Sequence, residues 1–186
     1  RLQRFVGQPQ MNSPAGWLAQ GLQLSLQTTI SGLRREGPAW QLQTAESGWL
    51  PEAFGAVLLA LPAPQTLPLL GTHAPALTAL AHGARMRGCW ALMLQFDHAL
   101  DLSFDAAFVN SGPLRWLARN SSKPGRAGAE SWLLHAEAEW SEQHLEQPAE
   151  AVAAPLLQAF AALGGPPPAR WTAHRWRYAD TAPPLN

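Results

Sequence analysis

Between Pro113 and Trp140, two apolar runs of strand length, Leu114–Ala118 and Ser131–Ala136, flank the polar loop Asn120–Glu130. Runs of this kind satisfy their backbone groups by pairing, and with one connecting loop the nearest partner is the other run, so the segment predicts an antiparallel hairpin. The loop holds Lys123, the single lysine among 13 basic residues, together with Arg119, Asn120, Ser121, Ser122 and Arg126 nearby. No other stretch concentrates hydrogen-bonding groups so densely, and the hairpin is read as one wall of a ligand pocket. Asn-Ser-Ser-Lys-Pro-Gly is also a run of turn formers, so turn chemistry is an equally complete account of Asn120 and Lys123.

The chain beyond Arg85 continues in this texture. Cys89–Phe96, Ala106–Val109 and Arg170–Tyr178 read as further strands, and Pro148–Leu163 reads as one long helix with Val152, Leu156, Phe160 and Leu163 on a shared face. Pro155 lies inside that helix, where it should cost about 3 kcal/mol and kink or restart it. Upstream, Arg4–Gly7 reads as a short extended piece, and Ser13-Pro14 predicts the start of an amphipathic helix carrying Trp17, Leu18 and Leu22. Leu24–Leu33 and Trp40–Gln43 alternate apolar with polar and predict a hairpin turned at Arg35-Glu36-Gly37-Pro38. Ala56–Leu61 is apolar at every position, the pattern of a strand buried on both faces. Short helices are predicted from Gln65 to Leu70 and over Pro75–Ala84. The layout is an α/β layer near residues 12–70 followed by an α+β layer near residues 71–178.

Composition excludes several function classes. Hydrophobic residues make up 47% of the 186, enough for a sizeable core. Net charge is zero and only 14% of residues are charged, so there is no basic face for a nucleic acid backbone. Cys89 stands alone, which excludes an intrachain disulfide and argues against a thiolate metal site. The 6 histidines are dispersed, none three or four residues from another, so no helical metal site is encoded. No apolar run reaches the ~18 residues that span a bilayer, and Arg1-Leu2-Gln3-Arg4 has no signal-peptide h-region behind it. A soluble, cytoplasmic protein without a membrane partner is expected.

No self-sufficient catalytic motif is present: there is no GxSxG, HExxH, Walker loop or strand-borne GxGxxG. His135 and His174 lie in strand-like apolar contexts, where a histidine is either a hydrogen-bonded structural residue or part of a site. Trp176 and Tyr178 alternate with Arg175 and Arg177, placing two rings on one side of a strand and two guanidiniums on the other. Such a ring pair belongs to a core or forms a stacking platform for a planar ligand.

Four segments, in order, resemble the renalase-like branch of the flavin-dependent amine oxidase superfamily, a family of NAD(P)- and FAD-dependent oxidoreductases. They are Phe5-Val-Gly-Gln-Pro-Gln-Met11, Val57-Leu-Leu-Ala-Leu-Pro-Ala-Pro-Gln65, Trp116-Leu-Ala-Arg-Asn-Ser-Ser-Lys-Pro124 with Trp132-Leu-Leu-His135, and His174-Arg-Trp-Arg-Tyr178. The resemblance implies an α/β chain with an α+β substrate domain. Part of a Rossmann-type FAD domain is interleaved with an antiparallel-sheet substrate domain, in a p-hydroxybenzoate hydroxylase-like arrangement. Residues 1–12 are then a strand of the substrate domain, 13–70 a segment of the FAD domain, 71–178 the substrate domain, and 179–186 a return towards the FAD domain.

By the same resemblance FAD is the cofactor, contacted at Ile30, Ala60 and Pro62. Asn120, His135 and Trp176 are the catalytic positions, Arg119, His174 and Tyr178 contact a small-molecule substrate, and no metal is involved. The implied reaction is hydride transfer from a dihydronicotinamide isomer or an amine-like donor to the flavin, with dioxygen as the final acceptor; it needs ring contact and a few polar anchors more than a strong acid or base. Gln10 departs from the glycine usual in that turn. The N-terminal GxGxxG unit and the C-terminal Gly-Asp flavin segment are missing, so the chain reads as the central portion of a longer enzyme, beginning without Met and stopping in mid-loop at Ala182–Asn186, and inactive alone. Two alternatives remain: a non-catalytic small-molecule-binding domain, and a flavin monooxygenase or desaturase on the same scaffold.

Overall fold

A computed structural model describes residues 5–71 and 73–183. The chain divides into two compact units, one taking the residues up to Gly21 with Arg87–Asp180, the other taking Leu22–Met86 with the residues from Thr181 onward. The expected boundaries at 12/13 and 70/71 therefore move. Residues 13–21 fall in the larger unit, and residues 71–86 stay in the smaller one because the helix they form packs on the preceding helix.

The first element is a short helix, α1 (Ser13–Leu18), whose N-cap position is Asn12 and not Ser13; the Asn12 side chain makes no cap hydrogen bond, and the Ser13 hydroxyl accepts from the Gln10 N–H at 3.0 Å. Its predicted apolar face is not covered, since Trp17 and Leu18 are each 68% exposed. No strand forms over residues 5–12; the rest of the proposed N-terminal strand, residues 1–4, lies outside the described residues, as do 184–186 of the proposed return segment.

The smaller unit is a three-stranded antiparallel meander, β1 (Ile30–Glu36), β2 (Ala39–Thr44) and β3 (Gly48–Phe54), followed by α2 (Ala63–Leu70) and α3 (Pro75–Gly83). The predicted hairpin is present, with Leu33 opposite Leu42 and Arg35 opposite Trp40. It starts later than the alternation suggested: Leu24 and Leu26 are exposed and Gln27 turns the chain at a φ of 54°. The third strand was hidden because Gly48–Phe54 has no regular alternation and contains Pro51, a residue that only an edge strand tolerates. Ala56–Leu61 corrects a second expectation. It forms no strand, and although Val57 and Leu59 are half-buried, Leu58 is 94% exposed.

The larger unit holds a five-stranded sheet in the order β5-β6-β7-β4-β8, built from β4 (Met86–Phe96), β5 (Ala106–Phe108), β6 (Leu114–Arg119), β7 (Glu130–Ala136) and β8 (Arg170–Thr181), with helices α4 (Ala138–Gln143) and α5 (Ala149–Ala162) between β7 and β8. The opening hairpin is the β6–β7 pair, Leu117 opposite Leu134 and Arg119 opposite Trp132. One face of the sheet carries Trp90, Leu92, Leu94, Leu117, Trp132 and Leu134, which pack against Val152, Leu156 and Phe160 of α5. These residues are at most 4% exposed, so burial of this face supplies most of the unit's hydrophobic stabilisation.

Pro155 does not break α5, which runs unbroken from Ala149 to Ala162. The lost backbone hydrogen bond is outweighed by the packing of Val152, Leu156 and Phe160 on either side of it, since tertiary contacts set most helical stability. Gly88 matters for a different reason. A Cβ there would meet the end of the Leu145 side chain, which must swing aside, and come within 3.1 Å of the Trp176 carbonyl, so an added methyl crowds the approach of β4 to β8. Gly88→Ala is expected to lower the midpoint of thermal unfolding by several degrees, an overpacking cost of about 1–3 kcal/mol; circular dichroism melting measures it.

Candidate functional site

Strand alternation turns every second side chain of the sheet away from α5. On that open face lie Cys89, Ala91 and Met93 of β4, Trp116 and Ala118 of β6, Leu133 and His135 of β7, and Trp176 and Tyr178 of β8. His135 sits at the centre, opposite Ala91 on one side and Trp116 on the other. A cavity of about 920 Å³ opens here, lined by Arg87, Cys89, Arg115, Trp116, His135, Glu137, Trp176, Tyr178 and Asp180. Three aromatic side chains and one imidazole in a single lining suit a flat ligand.

Most charges around the cavity are already engaged. Arg87 Nη2 donates to Asp180 Oδ2 at 2.6 Å, and the Glu137 carboxylate accepts the Trp140 N–H at 2.8 Å, capping α4. Burial, helped by the charge of Lys123, holds His135 below the usual imidazole value of 6.5, so its ring is neutral at pH 7. Burial also pushes the Cys89 thiol up, and it stays protonated, its Sγ 3.9 Å from the Ala136 carbonyl. The site can therefore offer a neutral donor or acceptor and ring faces, and no strong base.

Of the residues singled out from sequence, His135, Trp176 and Tyr178 meet in this cavity. Asn120 does not line it: its Oδ1 accepts from Lys123 Nζ at 3.1 Å and its backbone N–H donates to Ser131 at 2.7 Å. His174 rests edge-on against the Trp176 ring, centroids 4.5 Å apart, and borders a separate cavity of about 530 Å³ with Arg175 and Glu146. Arg119 takes up another task. Its Nη2 donates to the Leu100 carbonyl at 2.7 Å, its guanidinium lies 5.1 Å from the Trp132 ring centroid, and its Nε is 3.2 Å from Glu130 Oε1. The residues that sequence reasoning missed are Trp116, Arg87, Arg115 and Cys89. Trp116 was detectable, because alternation with the core residue Leu117 puts it on the same side as its partner His135.

The Arg119–Glu130 contact fastens the hairpin ends. Only 7% of the Glu130 side chain is exposed, and its carboxylate accepts from Ser121 Oγ at 2.7 Å and Trp132 Nε1 at 2.8 Å. Burial raises the Glu130 pKa, but those hydrogen bonds and the Arg119 charge outweigh it and leave the value below the ordinary 4.5. With the folded value below the unfolded one, the carboxylate stabilises the fold above pH 4.5, and that contribution disappears as pH falls through the folded pKa. Glu130→Gln is accordingly expected to lower stability at pH 7 but to narrow the gap to the unaltered chain below pH 4, as urea unfolding at the two pH values would show.

In the smaller unit, Ile30 and Ala60 border a cavity of about 630 Å³ with Leu33, Leu42, Leu59 and Leu69. Pro62 is not part of it and sits at the start of α2, where its side chain makes no cap hydrogen bond. A further cavity of about 540 Å³ lies around Leu70, Leu77 and His73, whose Nε2 is 3.1 Å from the Leu33 carbonyl and whose ring meets Trp40 edge-on. Among the described residues no group of three or more His, Cys, Asp or Glu is placed to hold a metal, and no helix is long and apolar enough to cross a membrane.

No protein-family model matches the chain. Its fold is that of solved oxidases. A protein of Exiguobacterium sp. 255-15 named as a protoporphyrinogen oxidase superposes over 93% of this chain and 40% of its own, with a TM-score of 0.69 at 20% identity. A triple mutant of a putrescine oxidase matches over 87% of this chain and 37% of its own, TM-score 0.65, 13% identity. Cyclohexylamine oxidase of Brevibacterium oxydans matches over 79% and 33%, TM-score 0.58, 12% identity. The chain thus spans about two fifths or less of the length of these proteins.

Proposed function

We propose that the chain is the central portion of an FAD-dependent oxidoreductase of renalase-like type, and that the open face of β4, β6, β7 and β8 receives the planar hydride donor. The observation that carries this reading is the cavity whose lining brings together His135, Trp116, Trp176 and Tyr178. Two further supports are the fold shared with oxidases and the four sequence segments that resemble the renalase-like branch.

The residues present fit part of the cofactor. Ring faces at Trp116, Trp176 and Tyr178 suit a flat heteroaromatic group, and the apolar cavity at Ile30 and Ala60 suits a flat ring such as adenine. The lining of the latter contains no Lys or Arg, so the pyrophosphate must be held elsewhere in the protein. FAD, when bound, supplies the hydride acceptor, which dioxygen returns to the oxidised state with release of hydrogen peroxide. The chain's own work is positioning: the indoles and the phenol hold the donor ring flat, and neutral His135 offers one hydrogen bond to fix its rotation.

Charge discriminates between donors. Asp180 is tied to Arg87 and Glu137 to the α4 N-terminus, so neither carboxylate is free to hold an ammonium, whereas Arg115 adds positive potential to the cavity. A dihydronicotinamide isomer therefore fits better than a diamine such as the substrate of putrescine oxidase. Peroxide production by the full-length gene product is expected with a reduced nicotinamide isomer and to be far slower with putrescine; no peroxide from any reduced nicotinamide isomer or amine rejects the proposal. Because the working form of His135 is the neutral one and burial lowers its pKa from the usual value, turnover should be level at neutral and alkaline pH and decline only as the pH falls through that lowered pKa.

A further inference from the structure

β8 supplies Trp176 and Tyr178 to the cavity, yet among the described residues it is the last strand of its sheet and pairs only with β4. A strand of 12 residues with one neighbour has few bonds to fix its lie, and segments with few partners open at low cost. α4 and the loop after it cross behind this seam and hold both strands. On β4, the Gly88 N–H donates to Glu142 Oε1, Trp90 Nε1 donates to the His144 carbonyl at 3.0 Å, and the Leu145 side chain lies against Gly88. The hold on β8 is ionic. The Glu146 carboxylate accepts from both Nη1 and Nη2 of Arg177, the latter at 3.0 Å, and from Arg175 Nη1 at 2.8 Å. Arg175 Nη1 also donates to the Leu145 carbonyl at 2.8 Å. The Arg177 hydrogen bonds above all hold the Glu146 carboxyl below the ordinary 4.5, so it is ionised at pH 7.

Arg175 and Arg177 alternate with Trp176 and Tyr178, so one carboxylate behind the sheet grips the residues on either side of Trp176, whose ring stands in the cavity in front. An exposed ion pair adds little to global stability. Two guanidiniums on one carboxylate do fix geometry, because a fork such as that of Arg177 on two oxygens is satisfied in one arrangement. We infer that Glu146 is a positioning residue, which through Arg175 and Arg177 sets β8 so that Trp176 and Tyr178 face the cavity in one orientation. Its bearing on the hydride donor rests on the proposal that the open face receives that donor; the tie between the loop and β8 does not.

Fluorine NMR of the full-length gene product labelled with 5-fluorotryptophan reads this tie without recourse to catalysis, the Trp176 line being assigned by its loss in Trp176→Phe. In Glu146→Gln that line should shift or broaden while the melting temperature stays within a few degrees, since the carboxylate is exposed. Potassium chloride at about 1 M, where charges are screened beyond ~3 Å, should move the line in the same direction in the unaltered protein and leave it in place in Glu146→Gln. Glu146→Asp, which keeps the carboxylate, should recover part of the shift. In steady-state kinetics, KM for the hydride donor should rise about three- to tenfold in Glu146→Gln with kcat little changed. A Trp176 line that does not move in Glu146→Gln, or that salt moves equally in that variant, overturns the inference. A moved line with an unchanged KM upholds the tie and counts instead against the open face as the donor site.

Discussion

Trp132→Ala is expected to destabilise the larger unit by about 3–5 kcal/mol, a large share of the ~5–15 kcal/mol that holds a typical domain together. Trp132 is 1% exposed, and its ring meets Phe104 edge-on at 5.8 Å and Phe160 at 5.9 Å. It also lies under the Arg119 guanidinium and donates its indole N–H to Glu130. Truncation thus opens a cavity beneath α5 and leaves the Glu130–Arg119 contact short of one hydrogen bond. Chemical denaturation followed by far-UV circular dichroism measures the loss. Trp132→Phe, which keeps most of the volume but not the N–H, should cost less than half as much; equal costs would show that the hydrogen bond, and not the packing, dominates.

The second large effect concerns the open face. His135→Ala and Trp176→Ala should each reduce kcat/KM of the full-length protein for its hydride donor by about a hundredfold, the size of effect that loss of reactive orientation produces. Both side chains are accessible from the cavity, and Trp176 is 53% exposed, so neither truncation opens a hole in the core. Melting temperatures should accordingly stay within a few degrees of the unaltered protein, separating these variants from Trp132→Ala. Arg119→Ala should behave in the opposite way, losing stability through Glu130 and Leu100 with little direct effect on donor binding.

The β6–β7 hairpin, α5 and the strands expected at Cys89–Phe96 and Arg170–Tyr178 were legible from their apolar and aromatic residues, and the structure extends the two strands to Met86–Phe96 and Arg170–Thr181. His135, Trp176 and Tyr178, which share the open-face cavity, stand out in the sequence as polar or amphipathic residues at strand positions. Asn120 and Arg119 could not be placed the same way. Both are hydrogen-bonding residues beside the same loop, and only the fold shows that Asn120 serves Lys123 while Arg119 turns to the core side towards Glu130 and Trp132. The continuous α5 through Pro155 and the exposed Leu58 illustrate a general limit, since local pattern states what a segment prefers and not which neighbours are present to reward it. Ala56–Leu61 has the composition of a doubly buried strand, yet it forms no strand in this chain.

The measurement closest to the central claim is the visible absorption spectrum of the full-length gene product, recorded before and after anaerobic addition of a reduced nicotinamide isomer. A yellow protein whose flavin bands bleach on addition and return in air, with hydrogen peroxide formed, is the predicted result. A protein that stays colourless even after incubation with FAD, or a flavin that no reduced nicotinamide isomer or amine bleaches, contradicts it.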